Sequence, residues 1–86
     1  MNYLIYTIYD EKTCLFGNLM LFSTEEEAIR YFSFLVNEDK NRLICKDLVL
    51  YNVGMFDTKS GCVKADLIPI KVKHANEVLD SCVRGD

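Results

Sequence analysis

The sequence predicts an α+β fold: a small antiparallel sheet of about three to four strands, one long amphipathic helix packed on one face, and a short C-terminal helix. Three observations predict it. Residues 3–9, YLIYTIY, are aromatic and β-branched without Gly or Pro, as a strand requires. Residues 23–39, STEEEAIRYFSFLVNED, repeat their apolar positions at helical spacing. Two further apolar runs, DLVLYNVGMF and CVKADLIPI, flank the turn-forming DTKSG.

Taken in order, YLIYTIY places Tyr3, Ile5, Thr7 and Tyr9 on one face and Leu4, Tyr6 and Ile8 on the other. Both faces are apolar, which predicts a central strand. DEKT reads as a turn. Residues 14–22, CLFGNLMLF, stay open between a strand, a loop and a hairpin turning at Gly17-Asn18. The helix then opens with a capping box, Thr24 as N-cap and Glu27 three residues on, and three glutamates suit the positive end of its dipole. At 100° per residue Ala28, Ile29, Phe32, Leu35 and Val36 share a stripe bordered by Tyr31. Phe34 falls on the opposite side, with Glu26 and Arg30 paired one turn apart.

Beyond a polar connection, DLVLYNVGMF reads as a second strand, where Gly54 suggests a bulge or a close backbone approach. DTKSG is a turn with Gly61 ready for positive φ, and residues 62–70 return as a hairpin partner that Pro69 confines to an edge. HANEVLDSCV carries Ala75, Val78, Leu79 and Cys82 at helical spacing and predicts the short second helix. No internal repeat or linker divides the 86 residues, so residues 1–86 form one domain.

Composition narrows the function. A chain this small buries only roughly 60% of its unfolded surface, which leaves little room for an active-site cleft. No basic segment precedes the opening apolar run, and Asp10, Glu11 and Lys12 interrupt it, unlike a secretory signal. No run approaches the roughly 20 residues that span a bilayer; a cytoplasmic protein without a membrane partner is expected. Cys14, Cys45, Cys62 and Cys82 lack paired C-x-x-C spacing and read as reduced, mostly buried thiols, with no metal and no cofactor. The single histidine, His74, reads as a helix cap, and no nucleophile sits in a recognisable elbow, so no enzyme is expected.

Charge is uneven. Residues 1–39 carry −5 and residues 40–86 carry +2, within a net −3. Lys40, Arg42 and Lys46 form one basic cluster, and Lys71 and Lys73 beside His74 form another; with rings from Tyr3, Tyr6, Tyr9 and Tyr51 they are candidates for holding single-stranded DNA. The off-face Phe34 and its neighbour Arg30 are the candidate interface for a partner or a second copy.

Three blocks carry a family resemblance: YTIYDEK at 6–12, AIRYF at 28–32 with LVN at 35–37, and DLVLYNVGMFDTKSG at 47–61. Together they resemble the small non-structural protein of gokushoviruses, single-stranded DNA phages of the Microviridae, matching at Tyr6, Tyr9, Asp10, Arg30, Phe32, Asp47, Gly54, Phe56, Asp57 and Gly61. Leu48 stands where that family has an aromatic residue. The resemblance implies a viral accessory protein of genome replication in the host bacterial cytoplasm. Its expected partners are single-stranded DNA, viral or host replication proteins, and further copies of itself. The alternative is a homo-oligomeric protein-interaction module that does not touch DNA.

Overall fold

The computed structural model describes residues 2–38 and 46–78. Strand β1 (Asn2–Asp10) is the centre of an antiparallel sheet, with β4 (Leu48–Asp57) along one edge and the short β2 (Leu15–Phe16) and β3 (Met20–Phe22) sharing the other. Strand β5 (Val63–His74) pairs with β4 and closes the order β2-β1-β4-β5. Helix α1 (Glu25–Asn37) follows β3, and the one-turn α2 (Ala75–Val78) follows β5.

This corrects the expected fold class. Strands hold 51% of the described residues, the sheet curls into a half-barrel, and the larger helix has 13 residues in place of one long helix lying across a flat layer. Two segments account for the difference. Residues 14–22 resolve into both β2 and β3, because Gly17 breaks the pairing while its amide donates to the Ile8 carbonyl at 2.8 Å and its carbonyl accepts from the Thr7 hydroxyl at 3.1 Å. The last strand also runs past Pro69 to His74, since KVKH can still pair with Val49, Leu50 and Tyr51. More sheet and less helix result. The predicted extension of α2 over residues 79–83 lies outside the described residues.

Bulges curl the sheet. Val53 has no partner on β1, where Ile5 faces Gly54 and Tyr6 faces Asn52, and such an extra residue bends and twists its strand. Gly54 is required there because a Cβ would run into the backbone carbonyl of Lys64 on β5.

The core forms where α1 meets this curl. Ala28, Phe32 and Val36, spaced by four, are fully buried against Tyr6, Leu50 and Ala75, and Leu4, Ile8, Met20 and Phe22 pack around them. The helix begins as its sequence dictates. Thr24 Oγ1 accepts from the Glu27 amide at 3.2 Å, while the Glu27 carboxylate reaches one residue further back than a standard box, accepting from the Ser23 amide at 3.1 Å and from the Ser23 hydroxyl. Those bonds, the Ser23 hydroxyl first, hold the Glu27 carboxyl below its usual range.

Both hairpin loops share one design. Asp10-Glu11-Lys12-Thr13-Cys14 and Asp57-Thr58-Lys59-Ser60-Gly61 share the turn form D-x-K-[ST]-x. In each, the aspartate side chain accepts from the lysine amide (2.9 and 3.0 Å), and its carbonyl accepts from the fifth residue's amide (2.7 and 2.8 Å). That fifth residue is left-handed in both, at φ 62° for Cys14 and 74° for Gly61. Glycine adopts this conformation freely, whereas cysteine does so at a cost of roughly 1 kcal/mol.

Two predictions result. Cys14→Gly should raise stability and Gly61→Ala, whose Cβ would meet open space, should lower it, each by about 1 kcal/mol in urea denaturation. Glu27→Gln should lower the melting temperature at neutral pH. Because the folded carboxyl is the stronger acid, its contribution is complete above the ordinary value of 4.5 and is lost as pH falls below it, so the two melting curves should converge in acid.

Candidate nucleic-acid interface

The sheet has a second apolar face. Alternation turns Leu4, Tyr6 and Ile8 of β1 and Leu50 of β4 toward α1, so Thr7, Tyr9 and Tyr51 leave on the other side. Tyr9 is directly opposite Phe16 in the β1–β2 pair and diagonal to Tyr51, whose own partner is the small Thr7. These relations bring three rings together: Tyr9 and Phe16 at 4.6 Å between centroids, Phe16 and Tyr51 at 5.5 Å, Tyr9 and Tyr51 at 6.0 Å. Tyr9 and Tyr51 are half-buried, and Phe16 is 49% exposed at the sheet edge. The Tyr9 hydroxyl is pushed up from its ordinary pKa, chiefly by its hydrogen bond with Cys14. Beside Phe16 lies a hollow of about 400 Å³ walled by Ile8, Leu15, Met20 and Leu48, with Asp10 and Asn18 among its polar lining.

Basic residues border this platform. Lys71 pairs with Tyr51, which places it next to the rings, whereas Lys73 pairs with the core residue Leu50. Lys46 is exposed just ahead of β4, at the same end of the sheet. Lys40 and Arg42 lie outside the described residues. The charges are more mixed than the sequence suggests. Lys73 and Lys71 help to hold the Glu77 carboxyl below its usual range, second to the His74 amide that donates to it at 2.7 Å. His74 Nδ1 accepts from the Asn76 amide at 3.0 Å, which leaves the proton on Nε2 to be donated to Glu11 at 2.9 Å. His74 is therefore a cap, and it is tied to the first hairpin.

The remaining ring candidates go elsewhere. Tyr6 is wholly buried in the core. Tyr3 joins Leu21, Phe22, Tyr31, Arg30 and Phe34 around an open apolar groove of about 620 Å³ between β3 and the outward side of α1. Arg30 and Phe34 are thus together, one turn apart, and Phe34 is 66% exposed. Two thiols expected to be mostly buried, Cys14 and Cys62, are exposed in or beside the hairpin loops. Cys45 and Cys82 lie outside the described residues.

Phe16 escaped the sequence reading because residues 14–22 had no assigned element. A signal was present: centring a hairpin on Glu11–Cys14 pairs Asp10 with Leu15 and then Tyr9 with Phe16.

What this face can do follows from its chemistry. Clustered rings with an exposed edge accept a flat partner by stacking, and Lys71 can meet an anion beside it. Among the described residues no helix is long and apolar enough to cross a membrane. A family model described as Phage ORF5 protein matches residues 3–78. No curated protein and no solved structure matches the chain.

Proposed function

This chain belongs to the Phage ORF5 protein family, and we propose that it is a non-enzymatic accessory protein of phage DNA replication that binds single-stranded DNA on the face of Tyr9, Phe16 and Tyr51. The observation that carries the reading is the ring cluster itself: three aromatic side chains from three strands converge on the side away from the core, with Lys71 in register beside them. A nucleotide presents a π-face together with a phosphate, and stacking suits a partner whose base sequence varies. The three sequence blocks that resemble gokushovirus non-structural proteins support placing this role in single-stranded genome production, in the cytoplasm of the bacterial host.

Rings outweigh charge in this proposal. Glu11 and Glu77 offset the local basic groups, so long-range steering is weak, and affinity rests on stacking with a few phosphate contacts from Lys71 and Lys46, Lys73 pairing instead with the core residue Leu50. A second reading, a protein-interaction module without DNA, is favoured by the groove at Arg30 and Phe34.

Fluorescence anisotropy with a labelled oligothymidylate separates them. Phe16→Ala, at an exposed edge position, should weaken binding by roughly 1–3 kcal/mol with an unchanged circular dichroism spectrum, while Phe16→Tyr should bind normally. Lys71→Ala should flatten the logarithmic salt dependence by about 0.7. Wild-type affinity and slope in both alanine variants would transfer the assignment to the protein-interaction reading.

A further inference from the structure

The row of residues that carries the ring platform ends on a proton-binding side chain. Phe16, Tyr9, Val49 and His74 are successive cross-strand partners, so they share the face away from α1, with the buried Val49 between Tyr9 and His74. Two strand spacings put His74 roughly 10 Å from Tyr9. The first hairpin bridges that interval. Glu11, two residues beyond Tyr9, accepts from His74 Nε2 at 2.9 Å, and its amide donates to the Asp47 carbonyl at 2.9 Å just ahead of β4. Its charge also reaches the platform: the Tyr9 hydroxyl, pushed up chiefly by its hydrogen bond with Cys14 and then by burial, is pushed further by the Glu11 carboxylate.

We propose that His74 and Glu11 form a proton-operated switch beside the platform, which holds single-stranded DNA more tightly when His74 is protonated. The proposal rests on the reading of the ring face as a DNA site. While His74 is neutral, the pair keeps the full negative charge of Glu11 next to the platform and repels a phosphate. A proton added at Nδ1 turns the contact into an ion pair and cancels that charge. The same proton ends the acceptor role of Nδ1 toward the Asn76 amide, which lies at 3.0 Å, so the cap on α2 is exchanged for a stronger hold on the hairpin. Histidine is the side chain whose charge ordinarily changes between about pH 5 and 8.

The groups around the ring do not duplicate the switch. On α2 the Glu77 carboxylate accepts from the His74 amide at 2.7 Å and is held below its usual range by that bond, with Lys73 and Lys71 of β5 contributing, so it stays charged throughout. On β4 the partner Val49 is apolar, with Lys46 and Asp47 ahead of the strand. On the first hairpin Tyr9 stays neutral because it is pushed up, which leaves the Cys14 thiol, and a His74→Gln variant controls for that group.

Fluorescence anisotropy with a labelled oligothymidylate at low salt tests the switch. Wild-type affinity should rise roughly two- to fivefold from about pH 8 to about pH 5.5, the effect of one unit charge at about 10 to 4 Å in water, and the rise should fade with added salt. His74→Gln keeps a neutral donor toward Glu11 and should show one affinity at both pH values. Glu11→Gln should bind roughly two- to fivefold more tightly than wild type at the higher pH. Without DNA, the ring-nitrogen chemical shifts of His74 should place the proton of the neutral form on Nε2. Equal wild-type affinity at both pH values, the same rise in His74→Gln, no gain in Glu11→Gln, or a neutral ring protonated on Nδ1 would each overturn the switch while leaving the DNA site in place. No binding at either pH would overturn the DNA reading and the switch with it.

Discussion

Tyr6 is wholly buried between α1 and the sheet, and its hydroxyl has to be satisfied there. It donates to Glu25 Oε1 at 3.4 Å in the first turn of α1 and bonds with the side chain of Asn52 on β4. Burial, followed by the Glu25 charge, pushes its pKa up to about 12. One side chain thus joins the central strand, the helix start and the bulged strand. Losing a buried hydrogen-bond partner costs more than forming the bond gains, so these three elements are held in a single arrangement. Asn52 repeats the restraint from the other side, its amide donating to the Ile5 carbonyl at 3.3 Å. With Tyr6 fixed inward, the parity of β1 is fixed as well. Thr7 and Tyr9 must leave on the opposite side, and a slip of one residue would exchange the core with the ring platform.

The sequence displayed the parts of this arrangement that are local. Thr24 and Glu27 marked the helix start, spacing by four identified Ala28, Phe32 and Val36, and Gly54 and Gly61 marked a close approach and a left-handed turn. What it concealed depends on pairing across the sheet. Met20, Leu21 and Phe22 have strand character only because Tyr6, Ile5 and Leu4 offer them an edge. Lys71 and Lys73 extend β5 because Tyr51 and Leu50 are available, against the signal of Pro69. These two non-local events turn a helix-on-sheet expectation into a curled sheet with a short helix. The interface residues divide similarly. Arg30 and Phe34 were visible from helical phase alone, whereas Phe16 acquires its role only from Tyr9 and Tyr51.

The two faces divide the chemistry of the domain. On one, aliphatic and aromatic groups exclude water and provide stability. On the other, the Tyr51 ring packs edge to face with those of Tyr9 and Phe16, leaving Phe16 half in solvent. Because acidic partners offset the nearby basic groups in a chain of net charge −3, the proposed binding of a polyanion at this face would rest on stacking at short range, with little contribution from the field at long range.

The most direct test of the proposed DNA-binding face is an amide chemical-shift titration of the labelled protein with a short oligothymidylate. Shifts concentrated on Tyr9, Phe16, Tyr51 and Lys71, with Tyr31 and Phe34 unmoved, are the predicted result. Shifts confined to the groove around Arg30 and Phe34, or no shifts at millimolar oligonucleotide, would contradict it.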